Sequence, residues 1–186
     1  MEKVSDIKHE YYAGSIYAMA GASPEHNLIA GNIFAALHAA LRGSSCRPFT
    51  SDLRIYTPSG LYTYPDASVV CGLLEFTDDP AAPSETVTNP VVLCEVLSEA
   101  TRQYDRNRKF ELYRAIPTLH DYILVEQTTV HVERRSRAEE GEWDSTVLTS
   151  LDDVLELPSL NFRMTLHDIY ERVEFASEAP SGEIGI

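Results

Sequence analysis

The sequence predicts an α/β or α+β fold, in which helices pack against a β-sheet. Three observations support this prediction. Apolar residues recur at helical spacing near residue 30, several later segments have the two-residue period of strands, and a second helical pattern lies between two groups of these segments. The order of helix, strands, helix and strands is typical of a sheet covered by helices. For 186 residues, 44% of them hydrophobic, we expect one domain over residues 1–173 and an acidic tail over residues 174–186.

The first predicted elements are an N-terminal hairpin and an amphipathic helix. In HEYYAGSIYAMAG, a short helix end or a strand leads to a turn at Gly14, and a strand then extends to Met19. Ser23 is then suited to the N-cap position of a helix, Pro24 to its first turn, and Gly43 to its end. The apolar residues of this helix share one face, which we expect to pack on a core: Leu28, Ile29, Ile33, Leu37 and Leu41.

Strand patterns and a second helix make up the rest of the chain. Residues 46–57 and 61–71 predict a β-hairpin joined by a Pro-Ser-Gly turn. The segment VVLCEVL is apolar almost throughout, as in a central strand covered on both faces. A second helix is predicted over residues 101–115, and Pro117 marks its end. Three strands and a short terminal helix are predicted after it, at residues 119–127, 129–137, 143–150 and 165–173.

Composition excludes several classes of protein. No apolar run approaches the roughly 20 residues that span a bilayer, and the first 14 residues lack the apolar core of a secretory signal. We therefore expect no membrane partner and a cytoplasmic location. The three cysteines are widely spaced and form no CxxC pair, so we expect buried free thiols rather than disulfides or a zinc site.

The net charge of −14 disfavours nucleic acid as a partner at first sight, because phosphates bind basic surfaces. Its distribution is uneven. Residues 139–186 hold 12 acidic and two basic side chains, whereas the segment TRQYDRNRKFELYR holds five basic and two acidic ones. The acidity is mostly a C-terminal property, and one basic segment remains.

Two acidic residues stand in apolar, strand-like segments. Asp66 lies in LYTYPDASVVC, and Glu95 lies in PVVLCEVLS. A buried carboxylate is costly, so a fold keeps one only with a cation, a metal ion or a shifted pKa. Two adjacent strands that place an acid on the same face, near the same end, would form an all-oxygen site. Such a site suits Mg²⁺ or Mn²⁺.

The second predicted helix supplies basic and polar side chains. Asp105, Lys109 and Tyr113 are four residues apart and therefore share one face. If this face turns toward the strand ends, Lys109 reaches the carboxylates and acts as a fixed positive charge or helps to activate a water molecule. Three further basic residues of the helix could bind the phosphates of a nucleic acid: Arg102, Arg106 and Arg108.

Each of these residues also has a purely structural interpretation. Asp66 could cap a turn at the start of a strand. Glu95 could form a structural ion pair with Lys109 or Arg102, and Lys109 with Asp105 could be an ordinary pair on a helix surface.

Two residues outside these segments carry the same ambiguity. His26, at the third position of the first helix, could be a capping or solvent-facing residue. Asp52 could pair with Arg54 or line the site.

The acids and the lysine, taken in order, resemble the PD-(D/E)XK nuclease superfamily. Longer segments are similar to the Uma-type family of bacterial restriction endonucleases within it, over about residues 10–135. These segments are AGSIYAMAGASPEHN, SDLRIYTPSGLYTYPDASVV, PVVLCEVLSEATRQYDRNRKFELYR and IPTLHDYILVE. The resemblance implies a restriction-endonuclease-like fold: a small mixed central sheet flanked by helices, with an additional N-terminal hairpin and C-terminal strands.

The resemblance also implies the residues of a catalytic site. Asp66 and Glu95 would bind a divalent metal ion, with the backbone carbonyl of Val96 as a further ligand. The superfamily lysine normally stands two residues after the second acid, where this chain has Leu97; the Uma-type pattern moves the amine to Lys109. Four residues are candidates for the outer shell of the site: Glu10, His26, Asp52 and Tyr113.

The expected function is therefore hydrolysis of DNA phosphodiester bonds by a metal-dependent endonuclease with Mg²⁺ or Mn²⁺, acting as a homodimer. One alternative is a catalytically silent protein of the same fold that binds nucleic acid or a protein partner. A hydrolase of another phosphoester is a third interpretation.

Overall fold

The structure, a computed structural model, describes residues 9–18, 22–80, 82 and 85–175. Met19, at the end of the predicted N-terminal strand, lies outside the described residues, as do residues 176–186 of the predicted tail. No helix in the described part of the chain is long and apolar enough to cross a membrane.

A six-stranded mixed sheet forms the centre of the fold. Its strand order is β10-β9-β8-β7-β6-β3, and all neighbours are antiparallel except β7 and β8, which are parallel. The strands are β3 (Cys46–Thr50), β6 (Ala67–Cys71), β7 (Pro90–Leu97), β8 (Asp121–Glu126), β9 (Val132–Arg137) and β10 (Trp143–Leu148). The predicted mixed sheet with flanking helices is confirmed.

A smaller antiparallel sheet of four short strands, in the order β2-β1-β5-β4, contains the predicted N-terminal hairpin. Its strands are β1 (His9–Tyr12), β2 (Ser15–Ala18), β4 (Ile55–Tyr56) and β5 (Tyr62–Thr63). The second predicted hairpin is also present, but both of its strands are interrupted. β4 and β5 pair in the small sheet, whereas β3 and β6 pair in the large one. Asp66 lies at the second interruption, directly after Pro65.

The first helix, α1 (Pro24–Ala40), begins as the sequence predicts and buries four of the five apolar residues predicted to face the core; Leu28 is instead 40% exposed. The side chain of Ser23 accepts a hydrogen bond from the backbone N–H of His26, and Pro24 occupies the first turn. The apolar face buries Ile29, Ile33 and Leu37. Because these side chains pack into one of the two cores of the protein, α1 fixes its own N-terminus next to the end of β6.

The second helix differs in geometry from an α-helix. Residues Tyr104–Lys109 form a π-helix that continues into the α-helical turn α2 (Phe110–Tyr113). We call Tyr104–Tyr113 the site helix. Single π-helical turns are rare and are frequently found at functional sites. Nothing in the residue pattern distinguishes this turn from an ordinary helix, so the prediction gave only its approximate range.

The C-terminal part adds a two-stranded antiparallel sheet of β11 (Val154–Leu157) and β12 (Phe162–Thr165), which sequence patterns did not predict. The terminal helix is present as the single turn α3 (Leu166–Ile169), shorter than predicted. These elements complete the core beneath α1, where Leu155, Leu166 and Ile169 are buried.

The large sheet separates two cores, so the two faces of β6 and β7 have different surroundings. One face packs against α1 and contains Ala67, Val69, Val92, Cys94 and Val96. The other face, which we call the site face, packs against the site helix and contains Val70, Leu93 and Leu97. Since side chains alternate along a strand, Glu95 between Cys94 and Val96 lies on the site face.

The prediction of three free thiols was wrong for two of the cysteines. Cys46 and Cys71 are directly opposed on β3 and β6 and form a disulfide, whereas Cys94 is a buried free thiol. A spacing of 25 residues carries no pairing signal. Only the strand register brings the two sulfur atoms together.

Candidate active site

Glu95 is a buried carboxylate with two polar partners from the site helix. It is 5% exposed. Its Oε1 lies 2.9 Å from Nζ of Lys109 and accepts a hydrogen bond of 2.8 Å from the hydroxyl of Tyr113. Burial raises the pKa of Glu95; Lys109 lowers it, and the charges of other carboxylates raise it further, so that it ends well above its ordinary value. Glu95 is therefore poised to hold either a proton or a cation.

Lys109 is surrounded by carboxylates. Besides Glu95, its Nζ lies 2.8 Å from Oε1 of Glu10 and 3.5 Å from Oδ1 of Asp105, and its side chain is 5% exposed. Burial lowers the pKa of Lys109, but the surrounding negative charges raise it well above its ordinary value. The amine is therefore charged and fixed in place.

The predicted shared face of the site helix is confirmed. Asp105, Lys109 and Tyr113 all point toward the sheet: Lys109 contacts Asp105, and Tyr113 contacts Glu95. Burial raises the pKa of Asp105, and Lys109 lowers it only in part. A helix-surface ion pair, the structural alternative for Lys109 and Asp105, does not describe two side chains that are each about 95% covered.

Glu10 joins this cluster from the small sheet. It is buried on β1, where the hydroxyl of Thr63 on β5 donates a hydrogen bond to its Oε1. The Thr63 hydroxyl also lies 3.3 Å from that of Tyr113. The N-terminal hairpin thus supplies one carboxylate of the cluster, and Thr63 ties it to the site helix. Thr63 was not predicted; its position two residues before Pro65 on an alternating strand is the only sequence signal for it.

Asp66 lies in a bend immediately before β6. Its Oδ2 accepts a hydrogen bond of 2.7 Å from the backbone N–H of Val96, the residue that follows Glu95. Nε2 of His26 lies 3.3 Å from the same oxygen. Burial lowers the pKa of His26, but the hydrogen bond and charge of Asp66 and the backbone of Val96 raise it, so the net shift is upward. The histidine is thus a partner of Asp66 rather than a solvent-facing residue.

The two acids lie on neighbouring strands at the same end of their pairing. The last paired residues of β6 and β7 there are Ala67 and Cys94. Continuing this antiparallel register by one residue brings Asp66 opposite Glu95. The negative charge of Asp66 contributes to the raised pKa of Glu95. Asp66 and Glu95 contact different side chains, however: Asp66 contacts His26, and Glu95 contacts Lys109.

The predicted phosphate-binding arginines have partners within the protein. Arg102 and Arg106 both pair with Glu126 at the end of β8, at 2.8 and 3.1 Å. Arg108 donates a hydrogen bond of 2.7 Å to the hydroxyl of Tyr12 and is exposed. Glu126 was not predicted, although its place at the end of the apolar run YILVE resembles that of Glu95.

Asp52 lies in the turn between β3 and β4, and its side chain is exposed.

The structure brings five of the predicted residues into one buried cluster, with Asp66 and His26 beside it. The five are Glu10, Glu95, Asp105, Lys109 and Tyr113. Asp52 contributes an exposed turn residue.

A magnesium ion is usually bound through one or two carboxylates and keeps several water molecules. Two strand-end carboxylates and a nearby backbone group are consistent with such a site. Among the described residues, no group of three or more His, Cys, Asp or Glu side chains is arranged to hold a metal ion.

The fold has a counterpart among solved structures. The chain is similar to a crystal structure from Anabaena variabilis described as "a putative nuclease belonging to DUF820", with a TM-score of 0.73 and 16% identity over 89% of this chain and 91% of the other. At this identity the likeness shows the fold, which is that of restriction endonucleases.

Sequence comparison identifies two relatives from Synechocystis sp. The chain is 37% identical to the uncharacterized protein slr1290 over 90% of this chain and 86% of the relative. It is 34% identical to the uncharacterized protein sll1609 over 79% and 82% of the two chains. The model of the Uma2 family, described as "Putative restriction endonuclease", matches residues 1–167. The chain therefore belongs to the Uma2 family.

Proposed function

We propose that this protein is an endonuclease that hydrolyses DNA phosphodiester bonds with a bound Mg²⁺ or Mn²⁺. Family membership supports a nuclease. The choice of a divalent metal ion and of DNA as substrate goes further and depends on the chemistry of the site.

The excess of negative charge at the site is the observation that carries the proposal. Glu10, Glu95 and Asp105 surround a single lysine, and Asp66 adds a fourth carboxylate at the end of β6. One ammonium group cannot neutralise this many carboxylates, and burial, together with the neighbouring negative charges, raises the pKa of Glu95. A fold that concentrates uncompensated carboxylates at a strand end is suited to bind a cation there.

The metal ion would be held by Asp66 and Glu95, with the carbonyl of Val96 as a further ligand. When bound, it supplies a Lewis acid that polarises the phosphoryl oxygen and lowers the pKa of a coordinated water molecule. Oε1 of Glu95 and Oδ2 of Asp66 make the protein contacts named above. The second oxygen of each carboxylate would bind the metal ion.

The remaining residues hold these groups in position. Tyr113 and Lys109 fix the orientation of the Glu95 carboxylate, and the Val96 N–H and His26 fix that of Asp66. Lys109 is a positive charge that does not have to reorganise as negative charge develops on the phosphate. Glu10 and Asp105 keep the lysine charged and immobile.

DNA is the proposed substrate, and the exposed Arg108 on the site helix is the proposed contact to its phosphates. Arg102 and Arg106 both pair with Glu126, so either could contact a phosphate only by sharing this pairing with the phosphate or by giving it up. We further propose a homodimer, because two active sites are needed to cut both strands in one encounter.

One observation favours the silent alternative. Every carboxylate within 4 Å of Lys109 is buried, and so is the amine, as in a structural ion-pair network. In that case the fold would bind nucleic acid or a protein without cleaving it.

Cleavage of supercoiled and single-stranded DNA with Mg²⁺, Mn²⁺ or EDTA separates these functions. We expect nicked or linear products only with metal ion, and loss of at least about 100-fold in rate for Asp66→Ala and Glu95→Ala, the order of effect of removing an essential catalytic group. Glu156→Ala, an exposed acid on β11, is the matched control. Binding without cleavage under all conditions would support the silent alternative, and activity that persists in both site variants would belong to another protein or another site.

A further inference from the structure

Ser68 is a buried hydroxyl without a partner in the described structure. It lies on β6 between Ala67 and Val69 and is 1% exposed. Its Oγ is one of five buried side-chain atoms that form no hydrogen bond in the described part of the chain. Leaving such a group unsatisfied destabilises the folded state. A serine is an unfavourable choice here, because alanine fills nearly the same volume without this cost.

The strand register places Ser68 on the site face. Ala67 and Val69 face α1, so Ser68 points to the opposite side, toward the core that contains Leu93. Ser68 pairs directly with Leu93 on β7, and Glu95 is the next residue of β7 on the same face. Asp66 precedes Ser68 by two positions along the chain.

The separation between these positions suits a bridging water molecule. Diagonal neighbours on one sheet face lie roughly 7–8 Å apart between Cα atoms. The Ser68 hydroxyl makes no direct hydrogen bond to the Glu95 carboxylate in the described structure, and a separation of this size can accommodate one bridging water molecule. A buried water molecule typically makes about three hydrogen bonds to groups that are otherwise unsatisfied.

We propose that the Ser68 hydroxyl binds a water molecule in the hydration shell of the cation held by Asp66 and Glu95. This makes Ser68 a positioning residue of the site, and the inference rests on the proposed function. A hydrated divalent cation needs acceptors and donors beyond its direct ligands, and removal of such outer partners typically weakens metal binding about 10- to 100-fold. The proposal explains why Ser68, which lies on the same face of the sheet as Glu95, has a buried hydroxyl without a hydrogen-bond partner in the described structure.

A purely structural serine and a positioning serine predict different affinities of Ser68→Ala for Mn²⁺. In the metal-free protein, both interpretations predict a midpoint of thermal unfolding equal to or above that of the wild type, because an unsatisfied hydroxyl is removed. Only the positioning role predicts that the same variant weakens binding of Mn²⁺. Ser68→Thr, which keeps the hydroxyl and suits a strand, should restore it.

The experiment measures the Kd for Mn²⁺ by electron paramagnetic resonance of the free ion, with thermal unfolding of the metal-free protein in parallel. We expect a Kd about 10-fold or more above wild type for Ser68→Ala, and a Kd within about threefold of wild type for Ser68→Thr, which is under 1 kcal/mol. Thr57→Val is the matched control: Thr57 is fully buried, and its hydroxyl accepts a hydrogen bond from the Leu61 N–H. This variant should lower stability and leave the Kd unchanged.

The outcomes separate this inference from the proposed function. If the wild type binds Mn²⁺, Asp66→Ala does not, and Ser68→Ala binds as tightly as the wild type, then Ser68 is a core residue and the inference fails alone. If the wild type and Asp66→Ala fail equally to bind Mn²⁺, the metal site itself is wrong and both proposals fall.

Discussion

Nζ of Lys109 lies 2.9 Å from Oε1 of Glu95, and both side chains are more than 90% covered. The same nitrogen contacts Glu10 and Asp105. A strand of the large sheet, the site helix and the small N-terminal sheet therefore meet at one amine. The stability of the fold and the chemistry of the site depend on the same few atoms.

Removal of the amine should strongly destabilise the protein. Lys109→Met leaves three buried carboxylates without their shared cation, and breaking a buried pair in this way costs about 3–5 kcal/mol. Urea denaturation measures the free energy of unfolding. Arg114→Ala removes an exposed pair with Glu111 and should change this free energy by less than about 1 kcal/mol. Equal effects of the two substitutions would mean that the buried cluster is not electrostatically coupled.

The disulfide should account for a measurable part of the stability. Cys46→Ser or reduction removes a link between residues 25 positions apart, which we expect to lower the free energy of unfolding by about 2–4 kcal/mol. Thiol titration of the denatured protein should give one free thiol before reduction and three after it. Three thiols before reduction in protein purified under oxidising conditions would contradict the pairing of Cys46 with Cys71.

Tyr170 should make stability dependent on alkaline pH. Its hydroxyl donates to the carbonyls of Glu126 and His131 and accepts from the His131 N–H. Burial raises the pKa of Tyr170, so the folded state keeps a proton that the unfolded chain releases near pH 10. The resulting stabilisation is complete below the ordinary tyrosine pKa and is lost as the pH rises through the higher pKa of the folded state.

Tyr170→Phe tests this pH dependence. At about pH 8 we expect the variant to be about 1–3 kcal/mol less stable, because the buried groups around the hydroxyl lose their partner. The difference between wild type and variant should shrink as the pH rises above about 10. Tyr11→Phe, at an exposed tyrosine, is the control. A difference that stays constant up to pH 11 would show that Tyr170 does not titrate differently in the two states.

Divalent cations should stabilise the folded protein. A ligand that binds only the folded state adds about 2.7 kcal/mol at a concentration 100 times its Kd, and for a chain of this size 1 kcal/mol raises the midpoint of thermal unfolding by about 2–4 °C. Differential scanning calorimetry with Mg²⁺ and with EDTA measures the shift. Asp66→Ala should abolish it, and a shift of equal size in this variant would place the cation elsewhere.

The sequence was most informative where a residue contradicts its local pattern. Asp66 and Glu95 stand out because carboxylates are unfavourable in apolar strands, and the shared face of Asp105, Lys109 and Tyr113 follows from helical spacing alone. The fold class follows from the helix and strand patterns, and the family from the resemblance of longer segments; both are confirmed.

Other features depend on three-dimensional packing and have no local signal. Glu10 reaches Lys109 only because the small sheet folds over the site helix. The disulfide depends on the register of β3 and β6, and the pairing of Arg106 with Glu126 depends on where the site helix lies relative to the end of β8. Neither spacing nor composition encodes these contacts. The π-helical turn is likewise invisible in a pattern that suits any helix.

The location of a bound cation tests the account most directly. Crystals grown with Mn²⁺ and measured at a wavelength where manganese scatters anomalously should show a peak between the carboxylates of Asp66 and Glu95, near the backbone of Val96. The peak should be absent from crystals of Glu95→Ala grown in the same way. A wild-type map in which manganese occupies another place, while Lys109 alone neutralises Glu95, would contradict the metal site and the nuclease mechanism built on it.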